Sequence, residues 1–148
     1  MPRIPPLALV VVCAVLMAAV DRFVPFEIDF PGRLALAVLL ATGALVFAAL
    51  AALTFRRAGT TVDPRDPARA SALVTGGPFR LSRNPMYVAF AAALLALALA
   101  LGNPLALAFV VLFIAWMDRV QIPAEEKALR ANFGAAFEDY ARGTRRWL

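Results

Sequence analysis

Two adjacent carboxylates, Glu125 and Glu126, and a short polar group formed by Arg83, Asn84 and Tyr87 are the residues of this chain best suited to chemistry. The sequence has no histidine, which removes every Ser-His, Cys-His and His-metal arrangement, and no metal site is expected. Cys13 is the only cysteine and lies in an apolar run, so it forms no internal disulfide and reads as a small packing residue. Chemistry therefore falls to Arg, Asn, Tyr, Glu or Asp. A guanidinium or amide can grip a ligand carboxylate, a glutamate can accept from a ligand ammonium, and a tyrosine can hydrogen-bond or pack on the ligand. A glutamate of raised pKa is the one side chain here suited to act as a base.

These residues stand about forty positions apart, and the intervening chain brings them together. From Asn84 to Met117 there are 34 residues without a charge, interrupted midway by Gly102-Asn103-Pro104. Each half, Pro85 to Leu101 and Pro104 to Val120, has 17 residues. At about 1.5 Å per residue, each half covers roughly 25 Å of a hydrocarbon core near 30 Å. The run enters the bilayer and returns to the same face, placing Arg83, Asn84 and Tyr87 near Glu125 and Glu126.

A hydrophobic content of 62% and a mean hydropathy of +0.76 exclude an ordinary soluble domain. With the uncharged runs Ile4 to Val20 and Leu34 to Phe55, the hairpin predicts an all-α integral membrane protein of about four transmembrane helices. The expected organisation is one membrane domain, 1–148, with spans near 4–20, 34–55, 85–101 and 104–120. A cytoplasmic loop covers 56–84, and a C-terminal cytoplasmic or interfacial helix covers 123–142. Of the 15 basic residues, 13 fall at Arg3, in Arg56 to Arg83 and from Arg119 onward. The positive-inside rule then makes both termini cytoplasmic. The loop lacks the aromatic-basic interleaving that stacks bases, which argues against nucleic acid. Arg3 before an apolar run also resembles a secretory signal, but its removal would leave an odd number of spans, so a retained first helix is expected.

Local chemistry refines this outline. Gly43 and the alanines of the second span suit close helix approach. Phe23, Phe26 and Phe30 suit the headgroup zone, and Ala68 to Val74 reads as a short amphipathic turn. Gly76-Gly77-Pro78 is turn chemistry before anything else, since it lacks the spacing and lysine of a phosphate loop. Asn84 before Pro85 reads as a helix cap as well as a ligand donor. Tyr87 and Trp116 suit a membrane-interface belt. Pro123 reads as the first residue of a helix whose acidic first turn, Glu125 and Glu126, complements its dipole, with Arg130 one turn beyond Glu126. Leu129, Phe133, Phe137 and Tyr140 form its apolar stripe, with Arg142, Arg145 and Arg146 directed at anionic headgroups and Trp147 at the interface.

Several of these pieces occur together in a known order. Gly59-Thr60 with Pro64, Leu73-Val74, Gly77-Pro78, Arg83-Asn84-Pro85-Met86-Tyr87, the hairpin, Glu125-Glu126, Leu129, Phe133-Gly134, Phe137 and Tyr140 follow one another over roughly Phe55 to Leu148. This pattern resembles bacterial members of the integral-membrane methyltransferases that include isoprenylcysteine carboxyl methyltransferase and phosphatidylethanolamine N-methyltransferase. Asn84 stands where the eukaryotic form has histidine, Ala89 where glycine is usual and Phe137 where tyrosine is.

The resemblance implies S-adenosyl-L-methionine as cofactor, bound at the end of the hairpin by Gly76, Gly77, Pro78, Arg83, Asn84, Tyr87, Glu125 and Glu126. Catalysis would fall to Glu125, Glu126 and Arg83. The implied reaction is methyl transfer to a lipophilic partner from the membrane: an isoprenylcysteine-like carboxylate, a phospholipid amine or another lipid-soluble molecule. Membrane lipids surround the protein. Two other readings stand beside it, a non-catalytic membrane scaffold or subunit retaining the fold and a nicotinamide-dependent lipid reductase.

Overall fold

The computed structural model describes residues 5–59 and 72–148, and within them the chain is entirely helical. Thr60, Pro64 and most of the expected turn at Ala68 to Val74 lie outside the described residues, as do the first four. Helix α1 spans Pro6–Phe23, α2 Arg33–Arg57, α3 Pro85–Leu101 and α4 Leu107–Trp116. A π turn, Met117–Gln121, leads into α5, Ile122–Phe133, and α6 follows at Ala135–Gly143. Pro6 and Pro85 open their helices, where a missing N–H costs nothing. Gly102 closes α3 in the left-handed conformation, with φ 73°. The Asn103 side chain accepts from the Leu105 N–H at 3.0 Å and turns the chain into the return helix.

α3 is the axis of the molecule. One side buries Tyr87, Leu94 and Ala98 against Cys13 and Met17 of α1 and Val110 and Phe113 of α4. α2 packs along α3 in the opposite chain direction, burying Ala37, Ala44 and Ala51 at seven-residue spacing, and α3 itself buries Ala89 and Ala96, also seven apart. Small side chains let two backbones approach where lipid offers no hydrophobic drive. Gly43, expected at this contact, instead lies on an open face, where an added Cβ would meet nothing within 4 Å. The outer faces of α1, α2 and α4 expose Leu and Val, including Val15, Leu39, Leu45 and Val111. Pro6–Phe23, Arg33–Arg57 and Pro104–Phe133 are each long and apolar enough to cross a membrane, and α3 is a shorter apolar helix among them. The chain is an integral membrane protein.

The region after Trp116 departs from expectation twice. Pro123 does not begin a new helix: the helical path is continuous from Pro104 to Phe133. A proline inside an α-helix clashes with the carbonyl four residues back and leaves it without a donor. The wide π turn immediately before Pro123 relaxes that spacing and lets the helix pass. The helix expected over 123–142 is then broken at Gly134, whose φ of 50° and ψ of −122° suit glycine and end α5. The apolar stripe is consequently divided, with Phe137 buried on α6 and Tyr140 packed near Phe79 and Val74.

Candidate active site

The elbow Ser82-Arg83-Asn84, the first turns of α5 and the segment after α6 meet at one end of α3. The Arg83 Nη2 donates to Glu126 Oε1 at 2.9 Å, while Nη1 donates to the carbonyls of Ala141 and Thr144. Arg146 grips the same carboxylate, Nη2 to Oε2 at 2.9 Å and Nε to Oε1 at 3.2 Å, and its Nη1 donates to Asp118 Oδ1 at 3.0 Å. Arg130 approaches Glu126 Oε2 at 3.8 Å, and the Trp147 indole donates to Asp118. Glu126 is 5% exposed. A carboxylate so withdrawn from water needs paired cations, and two guanidinium groups supply them. The Glu126 carboxylate, and less so Asp118, holds the Arg146 guanidinium above its ordinary range against the opposing effect of burial.

Glu125 lies beside this cluster with different partners. Consecutive helical residues diverge by about 100°, so the two carboxylates point to different neighbours. Its Oε1 accepts from the Tyr87 hydroxyl at 2.6 Å and from the Gln121 side-chain amide at 2.6 Å. Tyr87 and Gln121 are both buried, at 6% and 3% exposure. Two short bonds to one carboxylate oxygen orient the group.

The structure thus brings Arg83, Tyr87, Glu125 and Glu126 together. Arg83 and Glu126, expected at opposite ends of a ligand, bind each other. Asn84 does not cap α3 with its side chain; its Nδ2 donates to the Arg146 carbonyl at 2.9 Å and, with the Arg83 N–H to the Arg145 carbonyl, ties down the segment after α6. Arg146 and Trp147 turn inward rather than toward headgroups, and Tyr87 is buried rather than interfacial. Gly76, Gly77 and Pro78 form a tight turn against α2, where a Cβ on Gly77 would come within 2.9 Å of Thr54 Oγ1. The turn is tied to α6 by the Tyr140 hydroxyl, which donates to the Phe79 carbonyl at 2.6 Å. Burial pushes that hydroxyl up to about 12, the Arg83 charge offsetting part of the rise.

Two residues escaped the sequence reading. Gln121 was detectable as an amide one helical turn before Glu125. Arg33 stands at the first position of α2 and reaches the other end of α3, donating to the Leu99 and Ala100 carbonyls at 2.9 and 3.0 Å and pairing with Glu27 and Asp29. Its signal was an arginine flanked upstream by two acids at the mouth of an uncharged span.

A family model described as phospholipid methyltransferase matches residues 32–136, well over half of the chain. The chain belongs to that family of membrane methyltransferases. It is also similar to an uncharacterized protein of Haemophilus influenzae, 41% identical over 63 residues that make up 43% of this chain and 100% of the relative. No solved structure matches. The family match runs from Gly32 at the start of α2 into α6 and stops short of Arg146 and Trp147.

Proposed function

We propose that the protein transfers a methyl group from S-adenosyl-L-methionine to a lipophilic acceptor drawn from the bilayer. The observation that carries this reading is the division of labour between the two glutamates. Glu126 is saturated by arginines and holds the fold, while Glu125 is oriented by Tyr87 and Gln121 and carries the binding role. The donor set fits an aminoacid group. Glu125 suits its ammonium, and the Arg83 Nε, buried and without a hydrogen-bond partner, suits its carboxylate.

The cofactor supplies a methyl already activated by a sulfonium, so the protein's task is to align the acceptor and exclude water. The Tyr87 and Gln121 bonds hold Glu125 still for that purpose, and the apolar helices let an acceptor approach through lipid. A carboxylate or thiolate acceptor needs no base. A phospholipid amine, the acceptor class that the family's description favours, needs one, a role for which a glutamate is the side-chain type this site offers. The distribution of basic residues supports an inner-membrane protein with both termini, and this site, on the cytoplasmic side.

Calorimetric titration of the detergent-purified protein with S-adenosylhomocysteine tests the reading. Wild type is expected to bind saturably, and Glu125→Gln to bind at least about tenfold more weakly, a loss of about 1.4 kcal/mol, with its thermal unfolding unchanged. A folded wild type that binds nothing at millimolar ligand would leave the scaffold reading. Transfer of labelled methyl to phosphatidylethanolamine or to an isoprenylcysteine analogue then reads the acceptor.

A further inference from the structure

We infer that Gln121 is a positioning residue for the methyl-transfer site, acting through Glu125; the assignment rests on the reading of Glu125 as a ligand-binding carboxylate. Gln121 sits in the last position of the π turn and is almost wholly withdrawn from solvent. A long amide is an unusual choice for such a place, because its polar atoms must be satisfied or their burial is costly. Its Nε2 reaches Glu125 Oε1 at 2.6 Å, the same oxygen that Tyr87 takes from α3. Two donors from two elements converge on one carboxylate oxygen, which fixes both the rotamer and the roll of the carboxylate.

The π turn contributes to this geometry. It ends two residues before Pro123, so the same widening that admits the proline sets the helical phase of Gln121 and the α5 glutamates, one turn apart, relative to α4. The charged groups around the pair come from each neighbouring element. Tyr87 belongs to α3, Glu126 and Arg130 to α5, Asp118 to the π turn, Arg83 to the elbow and Arg146 to the segment after α6. Among the described residues Arg83 and Arg146 are directed at Glu126, and Arg146 also at Asp118, whereas Tyr87 and Gln121 donate to Glu125.

Three variants in the full-length, detergent-purified protein test the assignment, with S-adenosylhomocysteine as the probe. Gln121→Met keeps the volume but removes the donor, and is expected to weaken binding five- to tenfold. In the Glu125→Gln background the same change is expected to add little, because the group through which Gln121 acts has already been altered. Gln121→Glu places two carboxylates in contact, so its affinity should recover several-fold as pH falls from 8 to 6 and the pair shares a proton, whereas wild type shows no such recovery. Wild-type binding with Gln121→Met equal to wild type, or full additivity with Glu125→Gln, would overturn the positioning role while leaving the function intact. Absence of wild-type binding would remove both. Thermal unfolding of each variant separates lost positioning from lost fold.

Discussion

The two ends of α3 are each closed by an arginine, and they are closed in opposite ways. At one end Arg33 donates to main-chain carbonyls and to Glu27 and Asp29, carboxylates that remain 67% and 75% exposed. The arginine serves as an external cap: it donates to carbonyls of the last turn, one of which also accepts from the Gly102 N–H, and meets the negative pole of the helix. At the other end Arg83 and Arg146 converge on a buried carboxylate, and the Arg83 Nη1 also donates to the carbonyls of Ala141 in the last turn of α6 and Thr144 just beyond it. One end spends its arginine on a helix terminus, and the other spends two on holding α3, α5 and the segment after α6 together beside Glu125. The rigid clamp next to the oriented carboxylate is what a site needs; the cap at the far end only needs to hold.

Breaking the comparison at its strong end should have the largest effect. Glu126→Leu strands Arg83 and Arg146 around an apolar side chain, and a loss of about 3–5 kcal/mol is expected in reversible unfolding in mixed micelles. A loss below that of the far-end variant would show that the Glu126 cluster is not the principal clamp. Arg33→Leu should cost less, about 1.5–3 kcal/mol, because its carboxylate partners return to water and only the α3 carbonyls are orphaned.

Gly102→Ala sharpens the far end. A Cβ there would come within 2.3 Å of Arg33 Nη1, and the backbone is left-handed, so about 1–2 kcal/mol is expected. Repeating the change in Arg33→Leu should recover the part due to the guanidinium and leave the backbone strain. Equal costs in the two backgrounds would mean that Arg33 simply moves aside.

The smallest effect concerns pH at the Glu126 end. Tyr140 titrates at about 12 in the folded protein against an ordinary value of 10, so its neutral form is the one folding favours. That contribution is complete below pH 10 and is lost as pH rises through 12. Tyr140→Phe should flatten the alkaline fall in stability between those values and cost about 0.5–1.5 kcal/mol at neutral pH for the bond to Phe79. An unchanged alkaline limb would show that another group controls it.

The hairpin was legible because an uncharged run of 34 residues with a Gly-Asn-Pro break has few other solutions, and it carried the convergence of Arg83 with the glutamates. Which glutamate Arg83 would choose was not legible. Glu125 and Glu126 are identical in type and adjacent, and only the helical phase after the π turn separates them. The phase itself was hidden because Pro123 carries the same signal whether it starts a helix or is accommodated within one. The inward turn of Arg146 was hidden for a different reason: an arginine near aromatic residues at a membrane edge fits headgroups as well as a buried carboxylate, and only the satisfied geometry at Glu126 decides. Arg33 was counted as one charge among many because the main-chain carbonyls it serves lie 66 and 67 residues away.

The unequal lengths of α2 and α3 have a consequence for where the reaction takes place. With 25 and 17 residues, the two rise about 37 and 25 Å. Arg33 holds them level at its end, so the surplus, roughly 12 Å, projects at the Glu126 end, where α2 supports the Gly77–Arg80 turn. The Glu126 end of α3 therefore stops short of the rim that α2 builds. Under the proposed function, a lipid acceptor would reach this end by sliding sideways within its leaflet. Acyl-chain length would then act on that reaction, because a thicker bilayer raises the headgroups relative to an end of α3 that cannot follow.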